Sequence, residues 1–166
     1  SIDLGACAVD AVLWTDGTRY TQDFLPLFGL PFVTVAESVG LEEPHVALRH
    51  DVDWSIENAY AMALVERQLG VRSSYYLLHP DAGITQKNYF GRVEDEQLVL
   101  DPKLFDWAAR LLDLGHEVGL HNDLITLALA TRRQPGEFLE QIVEAFTRRG
   151  MPLVGSVAHG SRKCRE

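Results

Sequence analysis

Three times along this chain an amphipathic helical pattern stops at a glycine and an apolar, strand-like run follows. Gly70 precedes residues 71–78, Gly115 precedes 117–121, and Gly150 precedes 152–158. Glycine ends helices because it adopts the left-handed conformation without penalty. Strands separated by helices imply βαβ units and a parallel sheet.

The helices carry their own boundary signals. Over 55–69, Ser55 is a candidate N-cap, with Ala59, Met62, Ala63 and Val65 among the apolar positions. Asp101-Pro102 opens a second helix, capped by Asp with Pro in its first turn; Phe105, Ala108, Ala109 and Leu112 form its buried stripe. Pro135-Gly136 opens a third, with Phe138, Ile142, Ala145 and Phe146 facing inward. A strand over 45–51 precedes them all. Residues 79–100 read as a long loop punctuated by Pro80, Gly83 and Gly91, and the stretch before Pro135 as a variable segment. Within the lead-in, residues 1–44, the pattern predicts a short helix at 21–28 and a short strand at 32–35. The whole chain reads as a single domain, 1–166, with the lead-in packed on it. Four or five strands make an open sheet or part of a larger barrel.

At 166 residues and 46% hydrophobic, the chain can bury a real core. Its net charge of -9 argues against a nucleic-acid or anionic-membrane partner. No apolar run approaches the roughly 20 residues of a membrane helix. No signal peptide is visible, so a cytoplasmic location is expected. Cys7 and Cys164 are too few for a disulfide scaffold and read as free thiols.

In a parallel sheet the carboxyl ends of the strands share one rim, where such folds place their chemistry. Three strand ends here are polar. The first is Arg49-His50-Asp51-Val52-Asp53; the second is His121-Asn122-Asp123; the third is His159-Gly160-Ser161. Residues two apart in a strand point the same way, so Asp51 and Asp53 should converge and need a metal, a cation or a proton between them. A carboxylate and two imidazoles on one rim form a ligand set for zinc or another divalent metal. The plainer reading of Asp53 is a helix cap, and of Asp51 a salt bridge to Arg49. His45, His79 and His116 read as surface or core residues. Trp54 and the Tyr75-Tyr76 pair read as packing, or alternatively as a sugar-stacking surface.

Arg49-His50-Asp51-Val52-Asp53 after a strand, then Gly115-His116-Glu117-Val118-Gly119-Leu120-His121 after the next helix, resembles the polysaccharide deacetylase superfamily (NodB homology, carbohydrate esterase family 4). The likeness is nearest to the subgroup with RHDVD in place of TFDDG, and it covers roughly residues 30–166. It implies a distorted (β/α) barrel, a divalent metal, most simply zinc, and hydrolysis of acetyl groups on sugars. By this resemblance Asp51 is the catalytic base, with Arg49 or His50 orienting or charge-balancing it. Asp53 is a metal ligand, and His121 is the first histidine of the family's His-(Ser/Thr)-x-x-His motif. Position 125, where the second histidine belongs, is Ile125. Asp123 or His159 then supplies the third ligand, and His159 is favoured because it ends the next strand and replaces imidazole with imidazole. The family's later arginine, tryptophan and histidine motifs have no counterpart, so the chain is expected to be the first part of such a barrel. Two other functions fit the same residues: a non-catalytic carbohydrate-binding protein on this fold, or a metal-dependent hydrolase of a small non-sugar amide.

Overall fold

The computed structural model describes residues 29–78 and 91–159. The expected helix at 21–28, both cysteines, His79, Pro80 and Gly83, and the segment 160–166 lie outside the described residues.

Four strands form the central sheet: β3 (Arg49–Val52), β4 (Ser74–Leu78), β7 (Glu117–Asn122) and β8 (Ser156–Ala158). They are parallel and run in chain order, β3-β4-β7-β8. An order without reversal lacks the switch point of doubly wound folds and builds one curled arc. The result is a parallel half-barrel sheet, compatible with part of a β/α barrel.

The helices are α1 (Val35–Ser38), α2 (Ile56–Gln68), α3 (Pro102–Asp113), α4 (Leu124–Thr131) and α5 (Pro135–Thr147). Strand alternation decides what they cover. Val52, Tyr75, Leu77, Val118 and Leu120 point to one side and join Ile56, Ala63, Leu104, Ala108, Leu111, Phe138 and Ile142 in a single buried cluster. Each fully buried Leu, Ile or Phe contributes about 1.5–3 kcal/mol. Helix boundaries follow the caps expected from sequence. The Ser55 side chain accepts from Asn58 N–H, and Asp101 accepts from Lys103 N–H with Pro102 following it. Gly70, Gly115 and Gly150 all have positive φ.

Other expectations need correction. The strand at 45–51 is two pieces: β2 (Val46–Ala47) pairs with β1 (Phe32–Val33), and β3 pairs with β4. The strand at 32–35 stops at Val33 because Thr34 caps α1, in a capping box with Glu37. The strands at 71–78 and 152–158 are shorter than expected, beginning at Ser74 and Ser156. The loop at 79–100 contains an antiparallel hairpin, β5 (Gly91–Glu94) and β6 (Gln97–Leu100). Its two turn residues, Asp95 and Glu96, have φ of 48° and 61°, as a type I′ turn requires. The variable segment contains α4, capped by the Asp123 side chain.

The opposite face of the sheet carries Arg49, Asp51, Ser74, Tyr76, Glu117, Gly119 and His121. The lead-in segment reaches it: Val35 N–H donates to Ser74 Oγ at 2.8 Å, and Ala36 N–H donates to the Glu117 carboxylate at 3.2 Å. Tyr76 lies across Gly119. A Cβ on Gly119 would meet Tyr76 Cε1 at 2.5 Å. Gly119→Ala is therefore expected to lower stability by about 1–3 kcal/mol through overpacking. Gly136→Ala, with nothing within 4 Å of its Cβ position, is the control in urea unfolding. Equal midpoints for the two variants would show that Tyr76 moves aside freely. Among the described residues, no helix is long and apolar enough to cross a membrane.

Candidate metal centre

The three polar strand ends do meet at the carboxyl rim. Asp53 lies in the turn between β3 and α2. Because Ser55 supplies the N-cap of α2, the Asp53 carboxylate is not spent on that helix. His121 sits near the end of β7, which is flanked on both sides, by Leu78 of β4 and Val157 of β8. His159 follows β8 directly, and its N–H donates to Asn122 C=O. The Asn122 amide donates to Ser156 Oγ at 2.6 Å and to Val157 C=O at 3.1 Å, fastening the ends of β7 and β8 together.

Asp53, His121 and His159 each offer one ligand atom, and these atoms lie within 4.8 Å of one another. His121 Nε2 is 3.2 Å from Asp53 Oδ1, and the two imidazoles meet edge to face at 5.0 Å between centroids. Asp53 Oδ1, His121 Nδ1 and His159 Nδ1 are buried without a hydrogen-bond partner. Among the described side chains these are the buried polar atoms left unsatisfied, and all belong to this one cluster. Unpaired buried polar atoms are expensive. A cation shared by the three side chains would offset that cost, and two imidazoles with a carboxylate are the donors a divalent transition metal takes. This Asp/His/His group, with His121 buried and the other two half-buried, could hold a metal ion.

Of the two residues proposed for the third ligand position, His159 lies in the cluster. Asp123 is buried and caps α4 by accepting from Thr126 N–H at 3.3 Å. Ile125, at the position of the family's second histidine, is 52% exposed on α4.

Asp51 stays outside the ligand group. Arg49 Nη2 donates to its Oδ2 at 2.9 Å, and the Arg49 guanidinium sits over the Tyr76 ring. Burial pushes the Tyr76 phenol above its ordinary value, so it stays protonated. His50 points the other way, as alternation requires. Its Nε2 is 2.7 Å from Glu66 Oε1 and its ring stacks on Tyr75. Of the two residues expected to hold Asp51, the structure brings Arg49 to it and turns His50 away.

Glu66 anchors a second polar group that sequence reasoning missed. It is fully buried on α2 and accepts from Ser73 Oγ at 2.6 Å and Tyr75 Oη at 2.7 Å, besides its contact with His50. His116 completes the group. Burial lowers its pKa. Ser73 N–H donates to its Nδ1 and its Nε2 lies 3.0 Å from Ala63 C=O, which requires a neutral ring protonated at Nε2. Tyr75 and Tyr76 are both buried, which makes them packing residues, whereas Trp54 is 77% exposed.

Comparison of the chain with protein-family profiles, with characterised proteins and with solved structures found no match in any of the three.

Proposed function

We propose that the chain is a metal-dependent hydrolase that removes acetyl groups from an amino sugar or polysaccharide, built on a distorted β/α barrel of the polysaccharide deacetylase type. The observation that carries this reading is the Asp53/His121/His159 group, each side chain with an unsatisfied buried polar atom, set two residues from a carboxylate that the group does not use. The order of the two motifs, Arg49-His50-Asp51-Val52-Asp53 and then the strand ending at His121, supports the same assignment.

Asp53, His121 and His159 would hold the metal, and nitrogen-rich ligation of this kind favours zinc. When bound, such an ion supplies Lewis-acid polarisation of the acetyl carbonyl and acidifies water. The remaining work falls to the protein. Arg49 fixes one oxygen of Asp51, leaving the other to accept a proton from the attacking water. Water oxygen bonds to the acetyl carbon, the C–N bond breaks, and the amine nitrogen leaves with a proton, giving acetate and a free amino sugar.

Acetate release from an N-acetylated amino-sugar oligomer tests this proposal. The zinc-loaded chain is expected to release acetate. Asp51→Asn is expected to lower the rate by about 10²–10⁴-fold while keeping its metal, since proton transfer is lost and the ligands are intact. Full activity in Asp51→Asn would overturn the base assignment. Release from a small cyclic amide but not from the sugar would replace the substrate class.

A further inference from the structure

Among the described residues β3 is an edge strand, paired on one side with β4 alone within its sheet. A pocket of about 660 Å³ wraps that free edge, within the ~300–1,000 Å³ range of small-molecule sites. It takes Arg49 and Asp51 from one face of the strand and His50 from the other, and it reaches Asp53 and Trp54 at the rim. The pocket thus adjoins the metal centre and extends to a set of side chains that the hydrolytic chemistry does not use.

Those side chains are already prepared for a ligand. His50 is held at Nε2 by the buried Glu66 carboxylate and flat against Tyr75, so the ring cannot swing. Its Nδ1 has no partner among the described residues, and the ring is 19% exposed and lines the pocket. A buried carboxylate behind an imidazole is a standard way to fix the ring and present its other nitrogen outward. The Asn58 amide, one turn into α2, also lines the pocket with no side-chain partner among the described residues. Trp54 adds an exposed indole face. A hydroxyl group satisfies Nδ1 in either protonation state because it both donates and accepts. An amide offers one donor and one acceptor group to neighbouring hydroxyls, and an indole face receives the apolar side of a ring.

We propose that His50, Asn58 and Trp54 form the recognition subsite of this centre, in which His50 Nδ1 and the Asn58 amide bind hydroxyl groups of a ring whose apolar face lies on Trp54. The identification of that ring as a sugar rests on the hydrolase reading above; the subsite itself rests on the pocket.

Calorimetric titration of the full chain with N,N′,N″,N‴-tetraacetylchitotetraose, in chelator and again with zinc, tests it. Binding is expected in both conditions. Trp54→Ala and Asn58→Ala are expected to weaken it by about 10-fold or more each, as is His50→Gln, roughly the loss of one buried contact. Trp54 is exposed, so its variant folds even if His50→Gln disturbs Glu66. No binding by the unaltered chain at millimolar sugar, or unchanged affinity in Trp54→Ala and Asn58→Ala, overturns the subsite. The two proposals fail separately. Zinc uptake and acetate release with affinity unchanged in the pocket variants would sink the subsite alone. Sugar binding that depends on Trp54 and Asn58, without zinc uptake, would sustain the subsite and sink the hydrolase.

Discussion

Asp53→Ala is expected to abolish tight divalent-metal binding while leaving the metal-free fold nearly as stable as before. Within the protein Asp53 Oδ1 has no hydrogen bond, and its contact is the 3.2 Å approach to His121 Nε2. Its side chain is one-third exposed, so the pair contributes little when no ion is present. With a metal the balance changes. Losing a partner that merely supports a ligand lowers metal affinity about 10–100-fold. Losing the sole carboxylate of a three-residue group should cost more than about 100-fold. The unaltered chain, at zinc about 1,000 times its Kd, gains roughly 4 kcal/mol of stability, and its Tm rises by about 8–16 °C. Asp53→Ala should show almost none of that rise, and elemental analysis should find no stoichiometric metal after dialysis. His121→Ala is a poorer probe because it also removes a buried ring. An undiminished zinc-dependent Tm rise in Asp53→Ala would remove Asp53 from the ligand set and leave the two imidazoles to be explained another way.

The rim was legible because two short-range rules act there. Alternation sends Asp51 and His50 to opposite faces whatever the rest of the chain does. Parallel pairing brings Asp53, His121 and His159 to one edge once the helices between the strands are recognised. The choice of His159 over Asp123 also had a local signal. Asp123 precedes the apolar run Leu124-Ile125-Thr126-Leu127 and accepts from Thr126 N–H, which is the habit of an N-cap. The helix it begins went unread because no glycine or proline marks its start and its C-cap, Arg132, takes the left-handed conformation without being glycine. The hairpin at 91–100 was hidden for the same reason. Its turn uses Asp95-Glu96 rather than Asn-Gly, and only the alternation of Val93 and of Leu98 with Leu100 betrays the strands. The convergence of Asp51 and Asp53 was inferred from strand geometry, yet β3 ends at Val52. Asp53 therefore escapes the strand and turns to His121, while Asp51 stays with Arg49.

Glu66→Ala is expected to produce the largest loss of stability of any single substitution considered, about 3–5 kcal/mol, a large share of the ~5–15 kcal/mol that holds a typical domain together. Glu66 stands in phase with Ile56, Ala59 and Ala63, on the apolar stripe of α2, where a carboxylate is out of place unless something receives it. What receives it is a ring of donors from two neighbouring strands: His50 on β3, Tyr75 on β4, and Ser73 just before β4. Each is useful only while the carboxylate is present. Without it, the Tyr75 hydroxyl loses the carboxylate at 2.7 Å and Ser73 Oγ is left with His116 Nδ1 at 3.0 Å, and each buried bond that is not replaced costs about 1–3 kcal/mol. Glu66→Gln keeps the shape and one acceptor oxygen, and the two hydroxyls can rotate to accept from its amide, so its loss should be smaller than that of Glu66→Ala. The ordering in urea midpoint, unaltered chain above Gln above Ala, is the diagnostic result. A Glu66→Ala variant as stable as the unaltered chain would mean that water fills the site and serves the same donors, and the carboxylate would then have to be explained by its hold on His50 alone.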